Sequence, residues 1–415
     1  MFKILKAFLL VFFVISSNLS FANLKVLNRS DGQVDTLDPH KAEGVPAINV
    51  IEDLYEGLMA YDNKGNIVLG AANKYQISQD GLVYTFYLRD NLKWSNGQKL
   101  SAEDFVYSIK RSIDPKTAGA RANVLFPIKN AEKILNGELD KNKLGVKALG
   151  NNIIQISLEY KAPLILEVLS NTVSFPVYGN KFTQPEHHVT NGGFKLKNWT
   201  INSHLELAKN EYYWDANNVR LDIVKYFDIE QPMQEFRRYQ SGQIDTTSNI
   251  PTENINYIKR LYKSELLTGP YMAVYYYGFN VTNPPMDNKY LREALFLAVD
   301  RKIITDKLLR MGEIPQQYLM PNNTKNYKSP KISTFELNDE QRVIKAQKAY
   351  EKSGYSKNNP VTVTILYNTM DSHKQIAVLI AAMWKSVLGV KTELINAEWK
   401  VFLKPQFDLR YRLTN

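Results

Sequence analysis

Apolar and polar positions alternate over short stretches through the first half of the chain. VYTFYLR (83–89), NNIIQISLEY (151–160) and FKLKNW (194–199) each read as a strand with one buried face. LKVLN (24–28) adds a short strand, Asn49–Ala60 is helix-like, and APLILEVLSN (162–171) reads as a short helix. Ser101-Ala-Glu-Asp104 has the composition of a helix start, with an acid in the first turn, and Phe105, Ile109 and Ile113 then fall on one face. Arg237–Gln240 closes another helix, with Gly242 as its cap. The last third is more helical. Leu291, Ala294, Leu295 and Ala298 share a face, as do Ile376, Leu379, Ile380, Met383, Trp384 and Val387, before Gly389 and a strand VKTELI (390–395). Asn63–Gly65, Asn96-Gly97 and Asn191-Gly192-Gly193 are turns.

The N-terminus has its own pattern. Lys3 and Lys6 precede the apolar run AFLLVFFVI, and Ser20 and Ala22 flank Phe21. That order predicts a signal peptide cut after Ala22. The run is too short to cross about 30 Å of hydrocarbon as a helix, and nothing later is as uniformly apolar. The exported chain is expected free in a periplasm.

The 415 residues allow two to four domains at roughly 100–200 residues each. Cysteine is absent, which excludes disulfide frameworks, thiolate metal sites, thiol nucleophiles and a lipid anchor on Cys. The net charge of +10 is dispersed among acids rather than gathered in a patch, so no nucleic-acid partner is expected. HExxH, GxSxG, GxxxxGK and GxG are all missing. His187-His188 is a bare candidate for a metal, because adjacent side chains diverge and no further ligand has a recognisable spacing. No cofactor and no enzyme activity are expected.

Aromatic clustering stands out instead. Pro270-Tyr271-Met-Ala-Val-Tyr275-Tyr276-Tyr277 reads as a strand, with Tyr275 and Tyr277 on one face and Tyr276 on the other. Two uses are open to it: a buried strand, or a wall whose rings and hydroxyls meet an extended ligand.

Several blocks in order resemble one family, the periplasmic oligopeptide- and dipeptide-binding proteins of ABC importers. KWSNGQKLSAEDFVYSIKR (93–111) looks like its signature, and LDPHKAEGVPA lies near the mature start. TNGGFKLKNW, NEYYWD, RRYQSGQID, GPYMAVYYYGFN, LREALFLAVDRKII, LYNTMDSHKQIA and NAEWKVFL follow. The resemblance implies an α/β, two-lobed substrate-binding fold of type II, cluster C, with an extra domain. It divides the chain into lobe I (23–55 with 178–270), extra domain II (56–177) and lobe III (271–415). It implies a monomer that holds an oligopeptide by its main chain and delivers it to a membrane permease. Glu43, Gly44 and Val45 would run along the peptide backbone. Tyr271 and Tyr276 would line the cleft. His373 would offer partial positive charge to a carboxylate, and Trp94 would fix a turn of the extra domain.

Departures from the family pattern qualify these expectations. Arg121 stands where an aromatic is expected and would favour acidic ligands. The segment between Val173 and Thr183 is shorter. The family continues well beyond NAEWKVFL, supplying an Asp for the peptide amine and a last strand of lobe III. The last part of lobe III therefore reads as missing, and without that Asp the amine loses about 1.5–3 kcal/mol. A separate piece would be needed, or binding would be impaired. Two rivals remain open at this point. One is a binder of another small ligand: dipeptide, haem, nickel or oligosaccharide. The other is a remnant or periplasmic chaperone that does not close.

Overall fold

The computed structural model describes residues 24–117, 119–179, 188–269, 271–321, 324, 327–399, 401–402 and 413–414. The expected signal peptide and His187 lie outside them. Among the described residues no helix is long and apolar enough to cross a membrane.

Topology separates the chain into three cores. Strand Val26–Ser30 pairs in parallel with Ile223–Phe227, nearly two hundred residues away. Those two edge a four-stranded sheet completed by His204–Lys209 and Phe194–Thr200. A chain that leaves a sheet and returns that much later carries an insertion, and the first unit is therefore discontinuous. Its core joins Leu37, Val50, Ile51 and Leu54 to Leu205, Leu207, Val224 and Tyr226.

The insertion has a core of its own, from Leu58 to Val173, around an antiparallel sheet of Ala72–Ile77, Val83–Leu88, Ile153–Ser157 and Val146–Ala148. Tyr84, Phe86 and Leu88 are buried, as the alternation requires. Phe105, Ile109 and Ile113 of helix Ala102–Ile113 cover the same core. That helix begins where Asp104 reaches back to accept the Ser101 N–H at 2.7 Å, satisfying a donor the helix leaves open. Trp94 is fully buried in a turn whose N–H bonds Gln98 O at 2.8 Å, the structural use expected of it.

The third core runs from Met286 to Val390. Strands Thr362–Asn368 and Lys391–Ala397 are parallel, joined by helix Asp371–Leu388, the crossover a parallel pair needs. Ile376, Ile380 and Trp384 of that helix are buried. Gly389 caps it at φ +80°, a conformation that suits a residue without Cβ.

Two sequence expectations fail here. The helix expected over Asn49–Ala60 spans Val45–Leu54, and Met59–Tyr61 is a strand. Pro46 in the first turn starts the helix early, because its fixed φ is already helical. The tyrosine run is not a strand over its length. Among the described residues only Gly278–Phe279 pairs, with Leu413–Thr414. A strand exists only as far as its neighbour reaches, which a single-chain pattern does not reveal.

First and inserted units are tied by buried polar groups. Arg111 donates to both carboxylate oxygens of Asp38, at 3.0 and 2.6 Å, and lies 2.7 Å from His40 Nδ1. His40 Nε2 donates to Phe175 O at 3.0 Å, so Nδ1 is left to accept from Arg111. Nearby, Glu56 accepts the Tyr213 hydroxyl at 2.5 Å and the Trp214 indole N–H at 2.7 Å.

Burial lowers the His40 pKa to about 4, against the raising effect of Asp38. The unfolded chain protonates this ring near 6.5, so the contribution of His40 to stability is complete above that pH. It falls as pH drops and levels off below about 4, a loss on the order of 3 kcal/mol. Glu56 and Glu235, both raised to about 7 by burial, act in the opposite sense on acidification. His40→Gln keeps one donor and one acceptor without a titrating group. Chemical denaturation between pH 7 and 4.5 is expected to show wild type losing more stability than His40→Gln; parallel curves would refute this.

Candidate ligand-binding cleft

The three units meet at Gly44. The loop that carries it is pinned by Asp38 and His40 on one side and by helix Val45–Leu54 on the other. Gly44 caps that helix at φ −81°, ψ 144°, extended backbone open to any residue. Its need for glycine is therefore one of space. A Cβ there would lie 3.0 Å from Nε1 of Trp399, which belongs to the third unit. The indole stacks on Phe402 with ring centres 5.8 Å apart. Its Nε1 is buried without a hydrogen-bond partner among the described residues, leaving a donor directed into this junction.

Glu43 is half-buried, and its Oε2 also has no hydrogen-bond partner. Burial raises its pKa, Asp35 adds to the rise and Arg121 opposes it. Arg121 reaches this place from the inserted unit. Burial lowers its pKa despite the attraction of Glu43 and Glu52. Val45 is exposed beside them.

His373 lies near the start of helix Asp371–Leu388, and the Tyr275 ring packs against it, tilted by 40° with ring centres 4.8 Å apart. Nδ1 of His373 is hydrogen-bonded to Asn368 Oδ1. Burial takes this imidazole down to about 4. It is thus neutral near pH 7, because burial disfavours the cation, whereas the resemblance implies a partly positive ring. Tyr275 and Tyr277 do share a face, hydroxyl to hydroxyl at 3.4 Å. Tyr271 and Tyr276 are exposed.

The structure thus brings Glu43, Gly44 and Arg121 together, places His373 with Tyr275, and leaves Tyr271 and Tyr276 open on the surface. Sequence reasoning named Tyr275 in the aromatic run, on one face with Tyr277, but not as a site residue, and it did not single out Trp399, which lies in a quoted block. No sequence signal pairs Trp399 with Gly44. Among the described residues no group of three or more His, Asp and Glu side chains could hold a metal ion. His188 is buried against the Tyr55 hydroxyl at 3.2 Å.

Residues 66–414 match the family described as bacterial extracellular solute-binding proteins, family 5. The chain belongs to this family. It is 38% identical over 400 residues to the periplasmic oligopeptide-binding protein OppA of Salmonella typhimurium, covering 94% of this chain and 74% of that protein. Haemophilus influenzae OppA, solved in complex with RPPGFSPFR, superposes with a TM-score of 0.90 at 32% identity, over 94% of this chain and 79% of that one. The murein tripeptide-binding protein MppA of Escherichia coli superposes at 0.91 with 34% identity, over 95% of this chain and 79% of that one. Its unliganded open form reaches only 0.63 over 95% and 78%. The structure described here thus matches the peptide complex more closely than the unliganded open form.

Gly44→Ala adds one methyl group at this contact without straining the backbone. It is expected to leave the melting temperature within a degree or two and to weaken ligand binding on the order of tenfold. Trp399→Ala in the same chain should remove the clash, so that the second change costs less than it does alone. Calorimetric titration of the four variants checks this; additive losses would contradict it.

Proposed function

We propose that this chain is the periplasmic binding component of an ABC importer. It encloses an oligopeptide between its lobes and hands it to a membrane permease. The superposition on the OppA complex with RPPGFSPFR supports this reading most directly. In the reading proposed, the first unit (23–55 with 178–270) and the inserted unit (56–177) form one wall, and the third unit (271–415) closes on it. The chain acts as a monomer without a cofactor, catalyses nothing, and loses residues 1–22 on export.

Glu43, Gly44 and Val45 meet the peptide main chain. Gly44 admits a close approach, and the unanswered Glu43 Oε2 accepts an N–H. Tyr271 and Tyr276 supply ring faces that become covered once ligand is bound. His373, neutral and oriented by Asn368, contributes shape rather than charge. Arg121 touches the ligand beside Glu43. An unanswered carboxylate oxygen and an unanswered indole N–H beside a glycine suit a ligand held by its amides, with side chains in water-filled pockets.

Titration of the purified chain with peptides of two to five residues tests the reading. Saturable one-to-one binding at about micromolar affinity or tighter is expected. Absence of binding to every such peptide, with a signal from haem, nickel or an oligosaccharide, would replace peptides by that ligand.

A further inference from the structure

A second contact joins the units away from Gly44. Arg310 ends the helical segment Ile303–Leu309, whose turns are of the wide π type, which is rare and frequently found at functional sites. It is left-handed at φ 60°, ψ 24°, a conformation that costs a residue with a Cβ and persists only where surroundings hold it. Its N–H caps its own segment by donating to Thr305 O at 2.8 Å, and further bonds to it come from the first unit. Arg310 Nη2 donates to Thr252 O at 3.2 Å. Lys259 Nζ donates in return to Arg310 O at 2.7 Å. Thr252 is itself buried, and its hydroxyl meets Gln375 Oε1 of the third unit at 3.3 Å. The chain before it is fixed by Glu235, which accepts the Ser248 N–H at 2.6 Å.

We propose that Arg310 is the closure latch of this protein, a positioning residue on the third unit whose exchange of hydrogen bonds with Thr252 and Lys259 stabilises the closed arrangement whatever ligand is enclosed. The proposal relies on the closing motion in the reading above. Each bond runs between units, so swinging the third unit away exchanges both for water. A cation donating to a carbonyl in a half-buried site is stronger than a neutral pair. Nothing in the contact touches the Gly44 junction, so its effect on affinity is the same for all peptides. A ligand contact such as Arg121 would instead discriminate among them.

The absence of Cys from the chain makes the test clean. Asn198→Cys and Lys352→Cys, both exposed, carry spin labels on the first and third units. Distance distributions are measured with and without a tetrapeptide in three backgrounds: wild type, Arg310→Met and Arg310→Lys. Arg310→Met is expected to shift the peptide-saturated population toward long distances. It should raise Kd about tenfold for neutral, acidic and basic tetrapeptides alike, mainly through faster release, with an unchanged melting temperature. Arg310→Lys should recover most of both losses.

Unchanged distances and Kd in Arg310→Met overturn the latch, and so does a loss confined to one peptide charge class. A fall in melting temperature that tracks the loss of affinity and is not rescued by Lys would make Arg310 merely structural. If wild type binds no peptide, the peptide reading fails. The latch is then judged on the ligand-free distances alone, which Arg310→Met must lengthen.

Discussion

The guanidinium of Arg111 lies between a buried carboxylate and a buried imidazole, and through it a helix of the inserted unit grips the loop that leads to Glu43, Gly44 and Val45. Removing one member would leave the other charge desolvated and unanswered, a larger penalty than the pair's own attraction suggests. The loop is therefore held as firmly as the cores on either side of it. Glu56 ties the same two units again through Tyr213 and Trp214. Among the described residues, the third unit meets this wall with an indole against a glycine and with an exchange of hydrogen bonds at Thr252.

The electrostatics of the cleft agree with that division. Strong charges are spent inside the wall, on Asp38 with Arg111 and Arg29 with Asp31. At the junction, burial raises the pKa of Glu43 and lowers that of Arg121, and Glu43 Oε2 and Trp399 Nε1 are left without hydrogen-bond partners among the described residues. Unanswered donors and acceptors of this kind respond to a regular row of amides.

The order of units was legible because each core announces itself locally. Phe105, Ile109 and Ile113 repeat at helical spacing, and Tyr84, Phe86 and Leu88 at strand spacing. The resemblance of NAEWKVFL and KWSNGQKLSAEDFVYSIKR to family blocks gave the architecture. What could not be read was anything depending on two distant segments at once. No pattern in the chain brings Trp399 to Gly44, some 350 residues apart, or neutralises His373 by burial. The tyrosine run looked like a strand because alternation reports side-chain faces, whereas a strand is defined by its neighbour. Pro46 was readable as a helix start, yet its position inside a loop rich in turn residues hid it.

Hydrogen–deuterium exchange of the whole chain, with and without a saturating tetrapeptide, tests the central claim most directly. If the lobes close on a peptide main chain, amides at 43–48 and at the start of helix Asp371–Leu388 slow together, while those buried in the inserted unit around Phe86 and Ile154 do not change. Equal exchange in both states at Gly44, or protection spread uniformly over all three cores, would contradict it.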